Sequence, residues 1–355
     1  MELSELSLGS SLPVPSVQEM VKEPIATVPH RYIRPDQEPP ARLKGTSVSL
    51  IPIIDMQKLH CGEFMAEELE RLHWASKEWG FFQLINHGVG SSLIEKMKFE
   101  VQSFFQLPLA EKQKFAQLPG DVQGYGQAFV VSEEQKLDWG DMFSLVTLPT
   151  HLRKAHLFEN FSPSLRETLE SYANETQKLS MIVLEQMARP LGMEPKEMTD
   201  LFEDGLQGTR MSYYPPCPQP EQVIGFSPHS DFMGLTVLQV NEVQGLEVRK
   251  EGKWVPVEPL PDAFIVNIGD QLEIISNGTY ESVEHRATVN SAQERLSIGT
   301  FYCPKPEAEI GPAASLVNPG KPALFKTILV ADYVKAPYSA EIQGKALINS
   351  TKIAG

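Results

Sequence analysis

Three cysteines in 355 residues, Cys61, Cys217 and Cys303, are too few and too far apart for a disulfide framework or a thiolate zinc site. They read as reduced thiols, which suits a reducing compartment. Cations are scarce as well: 31 Lys and Arg stand against 46 Asp and Glu, for a net charge of −15. A surface of that sign repels phosphate backbones, which argues against nucleic acid as a partner. No run of about 18 apolar residues occurs, so no membrane-spanning helix is expected. The stretch from Met1 to Ser16 has no Lys or Arg and no continuous apolar segment, so neither a secretory nor a transit signal is expected there. The expected location is the cytoplasm, with access to the nucleus left open, and the expected state is a monomer.

What is present is ordinary for a globular chain: 41% of residues are hydrophobic and 22% charged, enough to build a large core. Residues 1–46 are rich in proline and charge and read as a surface arm, with one short helix around Ser16–Val21. Residues 47–204 are expected to be helix-rich. Ile51–Asp55 and Phe81–Asn86 look like strands, and Glu63–Trp79 and Ser91–Gln106 look like helices. Residues 117–150 read as a long loop with strand fragments. In 163–191, Leu165, Leu169, Tyr172, Thr176, Leu179, Val183 and Met187 recur every three or four residues, which predicts one buried helix face.

The pattern changes over 205–306. Short segments with β-branched and aromatic residues alternate with glycine turns: Gln222–Ser227, Leu235–Val240, Leu246–Arg249, Trp254–Val257, Ala263–Ile268, Ser282–Thr288 and Leu296–Phe301. Strands this short and regular predict a β-sandwich or barrel. A C-terminal extension, 307–355, is expected to return to helix near Thr327–Lys335. The fold class is therefore mixed α and β, with a helix-rich N-terminal surround on a β core.

Within the β half, His229-Ser230-Asp231 places an imidazole and a carboxylate two residues apart, and strand alternation would turn both to one side. His285, in a later strand segment, supplies a second imidazole. Two imidazoles and one carboxylate on one face of an octahedron leave three positions open, which suits Fe(II), O₂ and a bidentate co-substrate. Alone, a His-x-Asp pair recurs by chance in many proteins. Here only His229 and His285 lie on expected barrel strands; His30, His60, His73, His151 and His156 sit in helices or loops, and His87 reads as a turn or core residue.

Downstream, Arg295-Leu296-Ser297 repeats the two-residue spacing. The planar fork of Arg can hold a carboxylate through two parallel hydrogen bonds, and Ser can add a third. An Arg295–Glu294 surface ion pair is the plainer alternative, worth little. Tyr214, in Tyr213-Tyr214-Pro215-Pro216-Cys217-Pro218, either shapes a rigid turn or donates its hydroxyl to the same carboxylate.

Together these residues resemble the plant 2-oxoglutarate- and Fe(II)-dependent dioxygenases, a family that includes anthocyanidin synthase, flavonol synthase and opium-poppy O-demethylases. The resemblance runs from about Ile51 to Val334. It includes Trp79-Gly80-Phe81-Phe82-Gln83-Leu84-Ile85-Asn86-His87-Gly88, the Tyr-Tyr-Pro-Pro-Cys-Pro segment, Gly269-Asp270, Ser276-Asn277-Gly278 and His285-Arg286. It implies a double-stranded β-helix, or jelly roll, with Fe(II) on His229, Asp231 and His285. It also implies 2-oxoglutarate held by Arg295, Ser297 and Tyr214, O₂ as oxidant and ascorbate as reductant. The Asn-Glu-Val-Gln-Gly-Leu stretch looks closest to the senescence-related and alkaloid-demethylase branch.

Three departures stand out. Ser212 replaces a common Asn, Phe232-Met233 replace smaller residues, and the stretch around Leu238 looks one residue short, which a bulge would have to absorb. Tyr125, Phe129, Phe232, Met233 and Phe301 are the expected substrate walls. They favour a flat hydrophobic metabolite such as an alkaloid, flavonoid, coumarin or terpenoid, which would be hydroxylated, O-demethylated or desaturated. The rival readings are an iron oxidase of the same fold that does not use 2-oxoglutarate, and a non-catalytic small-molecule-binding protein.

Overall fold

The computed structural model describes residues 11–35, 37–41, 51–339, 341 and 344–353; residues 1–10, 36 and 42–46 of the expected arm lie outside that description. The strands are β1 (Ile53–Asp55), β2 (Phe81–Ile85), β3 (Gly124–Gly126), β4 (Asp141–Leu148), β5 (Leu206–Tyr214), β6 (Phe226–His229), β7 (Leu235–Val240), β8 (Leu246–Lys250), β9 (Lys253–Pro256), β10 (Phe264–Ile268), β11 (His285–Ala287) and β12 (Arg295–Cys303). They form an eight-stranded sheet in the order β1-β2-β10-β7-β12-β5-β4-β3 and a four-stranded sheet in the order β6-β11-β8-β9. Phe81, Leu246, Val248 and Ile265 join the inner faces of the two sheets in one apolar cluster.

The larger sheet is buried on both sides. Its outer face packs on the long helix Pro163–Leu191, whose seven periodic residues are all buried with Leu235, Val237 and Val266 of the sheet. Each fully buried Leu or Val there contributes roughly 1.5–3 kcal/mol. Ser162 caps the helix by accepting from the Leu165 N–H at 3.1 Å, and Gly192, at φ 76°, closes it in the left-handed conformation. Helices Met65–Glu78 and Ser91–Phe105 pack beside it, within two residues of their expected bounds.

Two expectations need revision. The loop region 117–150 contains a full eight-residue strand, β4, at the centre of a β5-β4-β3 ladder. Its neighbouring glycines hid it, although Met142, Phe143, Leu145 and Val146 form an apolar run of strand length. Around Leu238, β7 pairs without a register shift against both β10 and β12. No bulge is needed: Thr236 and Leu238 face the interior of the sandwich, while Leu235 and Val237 face the helices.

The arm is packed rather than laid loosely on the surface. Ser16 caps the short helix Val17–Met20, whose first N–H groups end on the Asp141 carboxylate, at 3.0 Å from Val17 and 2.8 Å from Gln18. Val17 is fully buried, and Tyr32 meets Trp139 edge-on at 5.4 Å.

Candidate metal and co-substrate site

His229 ends β6 and His285 opens β11, and the two residues are direct antiparallel partners. Their rings lie 4.2 Å apart between centroids. Asp231 sits just past the end of β6, so a turn rather than strand alternation brings its carboxylate to the imidazoles. Its Oδ1 is 3.4 Å from His229 Nε2 and 3.7 Å from His285 Nε2. Among the described residues this is the one group of three His, Cys, Asp or Glu side chains close enough to hold an ion, with ligand atoms all within 4.8 Å of one another.

The neighbours decide which atoms are free. His229 Nδ1 lies 2.8 Å from the Ser227 carbonyl and His285 Nδ1 3.1 Å from the Val283 carbonyl. A carbonyl only accepts, so each Nδ1 carries the proton and each Nε2 lone pair points to the shared centre. Asp231 Oδ2 accepts from Thr236 Oγ1 at 2.6 Å and from Asn267 Nδ2 at 2.8 Å, which reserves Oδ1 for the same centre. Thr236 and Asn267 were missed in the sequence. The available signal was a polar Asn within the apolar strand Phe264-Ile265-Val266-Asn267-Ile268.

Electrostatics prepare the group for a cation. Burial alone would raise the Asp231 carboxyl; His285, His229 and Asn267 outweigh it and hold Asp231 well below the usual carboxylate range. Burial, reinforced by His229, lowers His285 to about 4. His285 is therefore neutral, and Asp231 ionised, at neutral pH, as metal ligation requires. Two imidazole Nε2 atoms and a carboxylate oxygen form the donor set of a facial Fe(II) site with open positions.

Beside this centre a chamber of about 60 Å³ lies between the sheets, lined by Phe81, Ser212, Tyr214, Leu246, Arg295 and Ser297 among others. Arg295 opposes Tyr214 and Ser297 opposes Ser212 across the β12–β5 ladder. The Arg295 guanidinium lies 5.2 Å from the Tyr214 ring centroid, and its buried Nε has no partner among the described residues. The Arg295–Glu294 ion pair does not form: Glu294 instead accepts from the Tyr213 hydroxyl and from Gln102 at 3.0 Å. Gly245 makes the space, since a Cβ there would stand 2.6 Å from Arg295 Cδ. A buried cation with an idle donor fits the far carboxylate of a dicarboxylate bound at the metal.

The open side of the triad faces a second cavity of about 360 Å³. Phe129, Phe232, Met233 and Phe301 line it, as expected, and Phe226 and Tyr338 complete the aromatic wall. Phe129 and Tyr338 stack at 4.8 Å with their planes 14° apart. Tyr125 is the exception to the expected wall: it is buried against Phe104, with its hydroxyl 3.2 Å from Ser16 Oγ, because Tyr125 lies on β3 at the helix-facing edge of the sheet. Arg210, on β5, borders both cavities, stacked 3.8 Å over Phe226 with its Nε 3.2 Å from Ser212 Oγ. His87 is bound to the Asp262 carbonyl at 3.0 Å, away from the triad.

A jelly roll with this triad and this buried cation defines a mononuclear non-haem iron oxygenase, and the chain belongs to the 2OG-Fe(II) oxygenase superfamily, whose signature matches residues 206–304. Residues 51–165 match the N-terminal region described as non-haem dioxygenase in morphine synthesis. The enzyme is an Fe(II)- and 2-oxoglutarate-dependent dioxygenase. It is 55% identical over 349 residues to oxoglutarate-dependent flavonoid 7-O-demethylase 1 of Ocimum basilicum, covering 98% of this chain and 93% of that one. It is 52% identical over 351 residues to codeine O-demethylase of Papaver somniferum, covering 97% of each. The crystal structure of JOX2 in complex with 2OG, Fe and JA superposes with a TM-score of 0.87 at 36% identity, covering 97% of this chain and 99% of that one. No helix among the described residues is long and apolar enough to cross a membrane.

Proposed function

We propose that this dioxygenase removes O-methyl groups from a flat, hydrophobic aromatic metabolite of the flavonoid or alkaloid kind. The observation that carries the reading is the aromatic cavity opening directly on the free side of the triad, walled by Phe129, Phe226, Phe301 and Tyr338. Such walls bind an aromatic ring by area and stacking and hold no metal ligand of their own. Relatives more than 50% identical along nearly the whole chain carry the names flavonoid 7-O-demethylase and codeine O-demethylase, which supports a methyl ether as the reacting group.

In this reading His229 Nε2, Asp231 Oδ1 and His285 Nε2 hold Fe(II). Arg295 and Ser297, with Tyr214 beside them, hold the distal carboxylate of 2-oxoglutarate. When bound, the iron supplies oxidation of a C–H bond coupled to oxidative decarboxylation of the co-substrate. Arg295 neutralises the distal charge in a site without bulk water, while Asn267 and Thr236 keep Asp231 turned to the metal. Phe129 and Tyr338 press the substrate ring flat, so that its methyl group faces the triad. One O₂, one 2-oxoglutarate and one aryl methyl ether give succinate, CO₂ and a hydroxymethyl ether. The last collapses to a phenol and formaldehyde.

The test is incubation with Fe(II), 2-oxoglutarate, ascorbate and a panel of methoxylated flavonoids and alkaloids, with succinate and formaldehyde both measured. Equal yields of the two are expected. Substrate-dependent succinate with an oxygenated product but no formaldehyde would replace demethylation by hydroxylation. Turnover without succinate would overturn the role given to Arg295.

A further inference from the structure

In the sequence the arm shows no chemical role, yet its residues 34–35 and 37–41 reach both strands that carry imidazoles, Arg34 at β6 and Glu38 and Pro39 at β11, with Ala41 at β8. At one end, an Arg34 terminal nitrogen donates to Ser227 Oγ and to Asp138 Oδ1, each at 2.9 Å. Asp138 in turn accepts from Ser227 Oγ at 2.6 Å and from the Ser227 N–H at 3.3 Å. Ser227 is thus held through its amide and its hydroxyl, and its carbonyl is the acceptor that orients His229. The β6–β11 register shifts between His285 and Ala287, a bulge that turns Phe226 and His229 both inward and leaves Ser227 facing the arm.

At the other end, Arg286 follows His285 directly and points to the opposite side of the sheet. Its guanidinium donates to the Glu38 carbonyl at 2.8 Å, the Pro39 carbonyl at 3.1 Å and Glu247 Oε2 at 2.7 Å. Glu247 also accepts from the Ala41 N–H at 2.7 Å. Arg286 and Glu247 are both almost fully buried, a costly arrangement unless every donor is used. Here the arm's own carbonyls use them.

We propose that Arg34, Glu38, Pro39 and Ala41 form a positioning strap for the metal centre. Arg34 with Asp138 sets the Ser227 carbonyl and so the ring of His229. Glu38 and Pro39, with Glu247, seat Arg286 and so the ring of His285. The proposal rests on the reading that these two imidazoles hold the iron. None of the strap residues belongs to the triad or lines the chamber beside it, and their effect passes through carbonyls and strand position. Partners of this kind around a ligand imidazole are commonly worth about 10- to 100-fold in metal affinity.

The experiment titrates Mn(II) into the full-length metal-free protein by calorimetry and records proton NMR of the Co(II)-loaded protein. That spectrum should contain one hyperfine-shifted, exchangeable N–H for each ligand imidazole. Asp138→Ala and Arg34→Met should each weaken Mn(II) binding by about 10-fold or more and speed solvent exchange of the His229 signal alone. Glu247→Gln should do the same to the His285 signal, and Arg34→Lys should recover part of the Arg34→Met loss. Melting curves show whether each variant is folded. If Asp138→Ala does not fold, Arg34→Met carries the same test from a partly exposed position. A lowered melting temperature with wild-type Mn(II) affinity and both N–H signals unchanged would overturn the strap. If His229→Ala binds Mn(II) as tightly as wild type, the triad assignment fails first, and the strap goes with it.

Discussion

The two cavities that meet at the triad are built in opposite ways. The chamber proposed to take the co-substrate is small and walled by regular strands, and Arg295 brings to it a buried Nε with no partner among the described residues. The cavity proposed to take the substrate is about six times larger, 360 against 60 Å³, and mostly apolar. Its walls come from scattered places: Phe129 from a loop, Phe226 from β6, Phe301 from β12 and Tyr338 from the C-terminal segment. In the roles proposed for them, the chamber would recognise its ligand by charge and fixed geometry, and the cavity by area. Fixed charges in a ladder leave little room for variation, whereas a wall of independent side chains can change one residue at a time without disturbing the metal.

The largest effects should come from the boundary the two regions share. Asp231→Ala removes an ionised ligand, and its loss should exceed the roughly 100-fold that partners of ligands can cost. Purified protein should then retain almost no Fe(II) by colorimetric assay and release no succinate. Bound iron at the wild-type level would break the comparison at its root, since neither cavity would then face a metal.

Next comes the chamber alone. Arg295→Met removes the charge while keeping most of the apolar stem. Truncating one partner of a buried, hydrogen-bonded charge pair costs about 2–4 kcal/mol, so the 2-oxoglutarate KM should rise roughly 30- to 1000-fold. The aromatic substrate's equilibrium affinity should change little. Gly245→Ala should act in the same direction, because its Cβ would displace Arg295 Cδ, 2.6 Å away. Equal losses for both ligands would show that the chamber and the cavity are one site.

The cavity should answer more gently. Phe129→Ala or Tyr338→Ala breaks the stacked pair, worth about 1–2 kcal/mol with its area, so substrate affinity should fall about 5- to 30-fold. The 2-oxoglutarate KM should hold. Succinate formed without product should increase, because the substrate is no longer pinned. An unchanged substrate affinity would remove this stack from the recognition surface.

The same contrast explains what could be read in the sequence. His229, Asp231, His285, Arg295 and Ser297 stood out because strand and turn geometry act over two residues, and charged or ligating side chains are rare in apolar strands. The long helix was legible because burial of one face imposes a period on Leu165 through Met187. Tyr338 and Phe226 carried no such mark, since an aromatic in a cavity wall has the same composition as one in the core. Tyr125 failed for that reason: expected as a substrate wall, it is carried by the sheet to the helix side. Asn267 lies 36 positions from Asp231, and the register of β7 against β10, which pairs it with Thr236, is what brings both to that carboxylate. Arg34 depends on contacts from residues more than a hundred positions away.

The smallest effect separates the two cavities by the sign of their response to acid. His285, in the chamber, is lowered to about 4, mainly by burial, from an ordinary value of 6.5. Between those pH values the unfolded chain takes up a proton that the folded one refuses, so this region loses stability as pH falls. Half-buried His73 and His87, also lowered by desolvation, add to that slope. Asp270, which lines the larger cavity, is pushed up by burial to about 6 from 3.8, despite the hydroxyls of Ser282, Ser230 and Tyr333. Over that window the folded chain keeps a proton that the unfolded one releases, so Asp270 favours folding in acid and loses that advantage as pH rises through 6. In the metal-free protein the two slopes oppose each other between about pH 4 and 6. Asp270→Asn removes one of them. Whatever the substitution does to absolute stability, its melting temperature should fall more steeply than wild type as pH is lowered from 6.5 to 4.5. Parallel curves for the two proteins would mean that Asp270 carries no proton of its own in this range.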